Sequence, residues 1–322
     1  VAIFVMMIAM IFFKTNFYTS YNLLNVLKDA AVNEIIAFGV TLTVIAAGCD
    51  LSVGGVMCLS GIVAIQLMNG GMNLWLAITI AILIGAVVGF INGFLVVKQK
   101  TEAFIITLGM GMLIKGICQQ LTDAHPVSCT NMEFMKIANG KIGGVIPNLA
   151  LFMIVIGLLI YSLLRFTSYG RNLYAIGGDY EVAKYSGIKV IPTKWAAFVI
   201  SGAMAALAGV LLSSKLNTGS SIYGDDTALM VNCGVVVGGT SFAGGVGGIP
   251  DRTGTGAPYG PRARDDNEER YSRHRYAADN DLDARLGVVP FRDAFLHHRG
   301  LQVELHPGRD RRSDQPDHDG DV

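Results

Sequence analysis

The sequence predicts an all-α fold: a polytopic transmembrane helical bundle with interrupted helices over residues 1–250, and a polar, disordered tail over residues 251–322. The first observation behind this prediction is charge. Residues 1–250 contain 23 Asp, Glu, Lys and Arg side chains, whereas residues 251–322 contain 27. Soluble domains carry roughly 25% charged residues and the first 250 residues only about 9%, which excludes a soluble enzyme. The net charge of zero gives no electrostatic reason to expect a nucleic-acid partner.

The second observation is a series of apolar segments, because a helix that spans a bilayer needs about 20 mostly apolar residues. In chain order the segments are 1–13, 34–48, 53–68, 74–97, 103–118, 149–164, 195–213 and 227–239. Three of them, beginning at Glu34, Val53 and Thr227, are broken by glycine or bordered by Asp, and they predict interrupted helices packed inside the protein. The first segment is expected to be the remainder of a spanning helix truncated at its amino end.

Small residues recur within two of these segments at the spacing of helix contacts. The first set is Gly85, Gly89 and Gly93, and the second is Gly202, Ala206 and Gly209. Small residues at this spacing let the backbones of membrane helices approach closely, so both sets predict a packed bundle.

Basic residues give the orientation. If 165–194 is cytoplasmic, counting spans backwards places 97–102 on the same side, and these segments hold seven basic residues against five on the opposite side. The positive-inside rule therefore favours this orientation, although weakly.

Three motifs are expected to have roles beyond spanning the membrane. In the first, residues 48–55, Asp50 or Ser52 is expected to cap the next helix, and Gly54 and Gly55 allow neighbouring backbones to approach. The third, residues 237–248, is rich in glycine but lacks the Lys of a phosphate-binding P-loop. The sequence therefore shows no machinery for hydrolysing ATP, and the five scattered cysteines predict no metal site.

The second motif lies between two spans, at residues 169–188. Asp179 is expected to cap a short helix that Gly187 ends, with Val182, Ala183 and Tyr185 packed and with Glu181 and Lys184 facing water. Such an amphipathic helix suits docking into a groove on a partner protein. The alternative is a helix that lies on the lipid surface.

Four stretches together resemble the permease subunits of bacterial ABC importers for ribose and related monosaccharides. They are GVTLTVIAAGCDLSVGG, NGFLVVKQKTEAFIITLGMG, YGRNLYAIGGDYEVAKYSGI and VVVGGTSFAGGVGGI, and the likeness covers residues 1–250. It implies a multi-pass protein of the bacterial inner membrane that contacts membrane lipid and pairs with a second permease copy or a similar permease. It also implies a periplasmic sugar-binding protein that delivers the sugar and cytoplasmic ATP-binding subunits that drive transport. The resemblance supplies neither catalytic residues nor a cofactor.

The same resemblance makes residues 178–187 similar to the helix that couples such permeases to their ATPase. The coupling residues expected from it are Gly178, Asp179, Glu181, Ala183, Lys184 and Gly187. This agrees with the docking helix inferred from the residues alone.

The tail departs from the family, in which further spanning helices follow GGVGGI. Residues 1–250 use 11 Lys and 2 Arg, whereas residues 251–322 use 12 Arg and no Lys. If the codons for residues 251–259 are read in a shifted reading frame, the genetic code permits an apolar segment that contains glycine at these positions. We therefore expect out-of-frame translation from residue 251 onwards; the alternative is a real, disordered cytoplasmic extension.

The predicted function is inward movement of a monosaccharide through a pathway between helices. The candidate lining residues are polar residues inside the spans: Thr41, Thr43, Ser60, Asn92, Thr107 and Asn232. A polar group at membrane depth usually faces the bundle interior or a water-filled cavity, and interhelical hydrogen bonding is the alternative role for each residue.

Two other classes of membrane protein, an ion-coupled transporter and an enzyme, are the alternatives to this function. An ion-coupled secondary transporter would favour buried carboxylates within spans, yet Asp50, Asp225 and Asp226 are expected at span edges. A membrane enzyme would need a cluster of His, Asp or Glu, and residues 1–250 contain none in sequence.

Overall fold

The computed structural model describes residues 19–99, 101–143 and 146–248. Helices dominate these residues, as predicted. The predicted first segment, residues 1–13, and the predicted tail, residues 251–322, lie outside the described residues.

Ten helices and four two-residue strands make up the described part of the chain. The helices are α1 (Ser20–Ile45), α2 (Val53–Asn69), α3 (Leu74–Lys98), α4 (Ala103–Thr122), α5 (Met132–Asn139), α6 (Asn148–Phe166), α7 (Ser168–Gly178), α8 (Tyr180–Tyr185), α9 (Val190–Leu216) and α10 (Thr227–Val237). The strands are β1 (Val127–Ser128), β2 (Lys141–Ile142), β3 (Ile146–Pro147) and β4 (Thr218–Gly219); β1 pairs antiparallel with β4, and β2 with β3.

Four of these helices, α3, α4, α6 and α9, are long and apolar enough to cross a membrane. The chain is therefore a multi-pass membrane protein. The short apolar helices α2 and α10 correspond to two of the predicted interrupted segments. Residues 34–45 of the third, predicted at 34–48, form the last part of α1, which begins fourteen residues earlier at Ser20, and residues 46–48 lie in the turn after it. Hydropathy missed this extension because it includes polar residues such as Lys28 and Asp29, which are compatible with a helix but not with a membrane span.

Helix α9 lies at the centre of the bundle. In its most apolar stretch 61% of the residues are buried, compared with 17–33% in the other three spans. The two predicted sets of small residues meet here, because a Cβ on Gly85 would contact Gly202 and Ala206. A Cβ on Gly89 would likewise collide with the backbone oxygen of Phe198. The close helix packing predicted from each set is thus found between α3 and α9, a pairing that the sequence did not specify.

The segments that connect the helices lie at the two ends of the bundle. One end carries α7, α8 and residues 99, 101 and 102, and we refer to it as the cytoplasmic end on the basis of its basic residues. The opposite end carries α5 and the two strand pairs. Helix α1 ends at the cytoplasmic end, where the backbone of Ile45 contacts Gly245.

Candidate functional site

Helix α8 begins and ends as the sequence predicts. The Asp179 carboxylate accepts a hydrogen bond from the backbone N–H of Val182 at 2.9 Å, which caps the helix. At the other end Gly187 has a left-handed φ of 81°, and its N–H donates to the Lys184 carbonyl. A residue with a Cβ would be strained at that φ, so this glycine allows the chain to turn back towards α9.

The two faces of α8 differ from the prediction in one respect. Ala183 is 3% exposed and packs against Ile176 and Val190, as expected of the packed face. Val182 and Tyr185, which we expected to pack, are 61% and 84% exposed. Because α8 is only six residues long, it buries one small side chain, that of Ala183. The larger apolar side chains of Val182 and Tyr185 stay at the surface. An exposed apolar face suits a protein partner or a lipid surface.

A cleft of about 500 Å³ separates α8 from the rest of the cytoplasmic end. Its lining includes Tyr180 and Glu181 of α8, Glu102 before α4, and Gly48 in the turn that follows α1. The Lys194 ammonium, also at this cleft, donates a hydrogen bond to the Ala47 carbonyl at 3.1 Å. The cleft therefore lies between α8 and the turn that joins α1 to α2.

The glycine-rich segment of residues 238–248 connects these parts. The N–H of Gly245 donates to the Ile45 carbonyl at 2.9 Å, and the Tyr174 hydroxyl donates to the Gly247 carbonyl at 2.7 Å. Gly177 of α7 lies so close that an added Cβ would collide with Ile45 and Gly245. The segment thus joins α7 to the end of α1 by backbone contacts, which explains why it is built from glycines rather than from phosphate-binding residues.

A buried polar cluster surrounds the turn between α1 and α2. The Asp50 carboxylate is fully buried and accepts three hydrogen bonds: two from the N–H and hydroxyl of Ser52, at 3.1 and 2.7 Å, and one from the Ser201 hydroxyl of α9, at 2.7 Å. The Asn92 amide of α3 donates to the Ser52 hydroxyl at 2.8 Å. The expected cap of α2 is not formed, because no side chain bonds to the first turn of that helix. Asp50 instead fixes the turn before α2 and ties it to α3 and α9.

Two more helices reach the same turn. The Thr107 hydroxyl of α4 accepts from the N–H of Leu51 at 3.0 Å, and the Asn232 amide of α10 donates to the Asp50 carbonyl at 3.0 Å. The turn therefore receives side-chain hydrogen bonds from α3, α4, α9 and α10. Those contacts satisfy its backbone within the bundle, where unpaired polar groups are costly.

The structure places all six candidate lining residues inside the described bundle, and each is at most 5% exposed. Asn92, Thr107 and Asn232 come together at the polar cluster. The other three, Thr41, Thr43 and Ser60, donate to carbonyls three or four residues earlier in their own helices. These contacts fit the alternative role of hydrogen bonding, and lining of a pathway stays a prediction for all six.

Burial of Asp50 bears on the ion-coupled alternative. We expected this residue at a span edge, but its tertiary surroundings bury it completely. Both carboxylate oxygens are already engaged by donors of the chain itself. A coupling carboxylate has to exchange its ion with water, and these contacts instead assign Asp50 to holding the turn.

A half-exposed ion pair is the polar feature that the sequence did not single out as a site. The Lys115 ammonium of α4 lies 2.6 Å from the Asp225 carboxylate, and the two side chains are 42% and 39% exposed. The signal in the sequence was a single charge in the middle of an apolar segment. Its partner, 110 residues later in the chain, was identified only by the fold.

Comparison with known proteins relates the chain to transport permeases. Residues 22–259 match a family described as "Branched-chain amino acid transport system / permease component". The chain is 38% identical over 249 residues to the ribose import permease protein RbsC of Bacillus subtilis, with 77% of each chain covered. It is 35% identical to the D-allose transport system permease protein AlsC of Escherichia coli, over 72% of each chain. The L-arabinose transport system permease protein AraH of the same species is 33% identical, over 76% of this chain and 74% of its own. No solved structure matches the chain.

Proposed function

The chain belongs to the family of the branched-chain amino acid transport system permease component, and from that membership we propose that it is the membrane-spanning permease subunit of an ATP-binding-cassette importer. Its cargo is a monosaccharide of the ribose type, which is the class named for the similar ribose, allose and arabinose permeases. The subunit works in the bacterial inner membrane, where its four long apolar helices span the bilayer.

The observation that carries this proposal is the exposed apolar face of α8 at the cytoplasmic end. Val182 and Tyr185 project from a helix that is fixed at both ends, by the Asp179 cap and by Gly187. Charged residues flank them, since Glu181 and Lys184 are exposed. An apolar centre with a charged rim is the arrangement of a protein-binding surface, whereas a helix resting on lipid would be rich in Lys and Arg.

Four partners complete the importer. Two cytoplasmic ATP-binding subunits hydrolyse ATP, and one of them receives α8. A second permease copy or a similar permease completes the membrane part, and a periplasmic sugar-binding protein delivers the monosaccharide to the opposite end. The permease itself carries out no chemical step.

Movement of the ATPase is transmitted to the membrane helices through α8, α7 and the segment of residues 238–248. A displacement of α8 moves α7, to which it is joined through Gly178 and Asp179. Helix α7 contacts the segment of residues 238–248, which in turn contacts Ile45 at the end of α1. The turn after α1 is hydrogen-bonded to four other helices, so a shift at α8 is transmitted to the packed bundle.

The test is whether α8 holds the ATP-binding subunits. Val182→Asp combined with Tyr185→Ala removes the apolar face without changing the buried Ala183, so insertion into the membrane is expected to persist. Truncating interface anchors commonly costs 1–2 kcal/mol or more, so we expect about tenfold weaker co-purification of the ATP-binding subunits and loss of sugar-stimulated ATP hydrolysis. The control is Met132→Ala on α5 at the opposite end, a residue of similar exposure at 66%.

Two results would contradict the proposal. Co-purification that is equal for the double variant and for the control would mean that α8 is not the docking element. Failure of the unsubstituted chain to recruit any ATP-binding subunit would remove the importer assignment itself.

A further inference from the structure

The charged residues of the four spans are not placed alike. In α3, α6 and α9 they lie within five residues of a helix end, where a long side chain reaches the polar boundary of the bilayer. Lys115 is the exception. It is the thirteenth residue of α4, about 18 Å along the helix from Ala103 and about 10 Å from Thr122.

The Lys115–Asp225 pair is held in place by backbone contacts from α2. Gly54 approaches the backbone of Gly224 so closely that a Cβ on either glycine would collide with the other residue. Gly55 is packed against Gly111 of α4, with 2.9 Å between its ideal Cβ position and the Gly111 carbonyl oxygen. The paired glycines of α2 thus position both the segment that carries Asp225 and the helix that carries Lys115.

The surface around the pair is open and partly polar. Gly116 and Gly109 of α4 have no neighbouring atom within 4 Å of their Cβ positions, and Gln119, one turn from Lys115, is exposed. Helix α4 is also the least apolar of the four spans and the least buried, with 17% of its apolar window inside the bundle. Helix α6, with 33% of its apolar window inside the bundle, has a much higher mean hydropathy, 2.4 against 1.4 for α4, as lipid contact requires.

From these observations we propose that the Lys115–Asp225 pair faces a water-filled passage for the sugar, lined on this side by α4 and the segment before α10. Charged groups inside a membrane face a bundle interior or an aqueous cavity. Lys115 lies at the edge of the packed face of α4, with the exposed Met112 and Gln119 on its open side. An ammonium group offers three donors and a carboxylate offers acceptors, which together match the hydroxyl groups of a monosaccharide. This inference rests on the proposed function for the identity of the solute, and on the ion pair and the exposed, partly polar face of α4 for the presence of water.

The test is chemical labelling from the aqueous phase. Met112, one helical turn before Lys115, is 67% exposed, and Leu158 on α6 is 64% exposed, which makes a matched pair. Each is changed to cysteine in a background whose five native cysteines are replaced by alanine and whose membrane insertion is intact. In membranes that contain the full chain and its transport partners, a charged, water-soluble maleimide is expected to label Met112→Cys at least tenfold faster than Leu158→Cys. D-ribose is the probe for occupancy and is expected to slow the labelling of Met112→Cys at least threefold.

A second pair of variants separates an aqueous role from a packing role. Lys115→Met combined with Asp225→Leu removes both charges and keeps the apolar volume, a change that is often neutral where an ion pair only packs. We expect the double variant to insert normally but to lose protection by D-ribose. Leu113→Met on the same helix is the control and is expected to keep it.

Two labelling results would overturn the inference. Equal, slow labelling of both cysteines under reducing conditions overturns the inference, because lipid or protein then covers this face. Fast labelling without protection by D-ribose in the unsubstituted pair also overturns it as a sugar passage. Recruitment of ATP-binding subunits by the same membranes reports separately on the proposed function, so a failure of one is distinguishable from a failure of the other.

Discussion

Replacement of Asp50 tests whether the polar cluster holds the bundle together. In Asp50→Ala, three buried donors lose their acceptor: the N–H and hydroxyl of Ser52 and the hydroxyl of Ser201. Hydrogen bonds between membrane helices average about 0.6 kcal/mol each, whereas bonds to a buried acceptor in soluble proteins contribute about 1.5 kcal/mol or less. Three such bonds give an expected loss of about 2 to 4.5 kcal/mol in the free energy of unfolding.

Asp50→Asn separates hydrogen bonding from charge. The amide oxygen can still accept both bonds from Ser52, and the amide nitrogen can donate to the Ser201 hydroxyl, which is able to accept. Because the described residues show no cation paired with Asp50, removing its charge loses no ion pair among them. We expect Asp50→Asn to stay within about 1 kcal/mol of the unsubstituted chain.

The assay is unfolding by titration with SDS in mixed micelles, followed by the fluorescence of the two tryptophans, Trp75 and Trp195. Ser60→Ala is the matched control, since it removes a buried hydroxyl that bonds only to a carbonyl of its own helix. A loss below 1 kcal/mol for Asp50→Ala would refute the reasoning. An equal loss for Asp50→Asn and Asp50→Ala would show that charge, and not hydrogen bonding, stabilises the turn.

Three further predictions concern other parts of the chain. Gly177→Ala brings a methyl group against the backbone of Ile45, and we expect co-purification of the ATP-binding subunits to persist while sugar-stimulated ATP hydrolysis falls; unchanged stimulation would contradict the transmission route. Gly89→Ala forces a methyl group onto the Phe198 carbonyl, and overpacking of this kind costs about 1–3 kcal/mol, measurable by the same SDS titration; a neutral result would mean that α3 shifts freely against α9. For the composition change after residue 250, resequencing of codons 248–259 is expected to reveal an inserted or deleted base, and a clean reading would favour a real extension.

The sequence alone determined the class of fold and the position of the short helix α8. Long apolar segments are sufficient to predict spanning helices, because every backbone polar group in lipid has to be satisfied within the segment. The ends of α8 were predictable for a similar reason: the Asp179 cap and the left-handed Gly187 act over a single turn. Close helix packing at each small-residue set was also predictable, since backbones approach closely only where side chains are small, but the contact between the two sets was found only in the structure.

Only the tertiary structure decided which side chains meet and which stay exposed. Asp50 and Ser201 are 151 residues apart in sequence, and the partners Lys115 and Asp225 are 110 apart. Hydrophobic periodicity gives little direction here, because lipid is as apolar as the interior and a membrane helix is apolar on every side. On α8 the same pattern failed at Val182 and Tyr185, because the number of apolar side chains that a short helix buries depends on the surface beneath it. Burial, and with it the division between residues that hold the bundle and residues that face partners or water, is therefore a property of the packed helices rather than of any one segment.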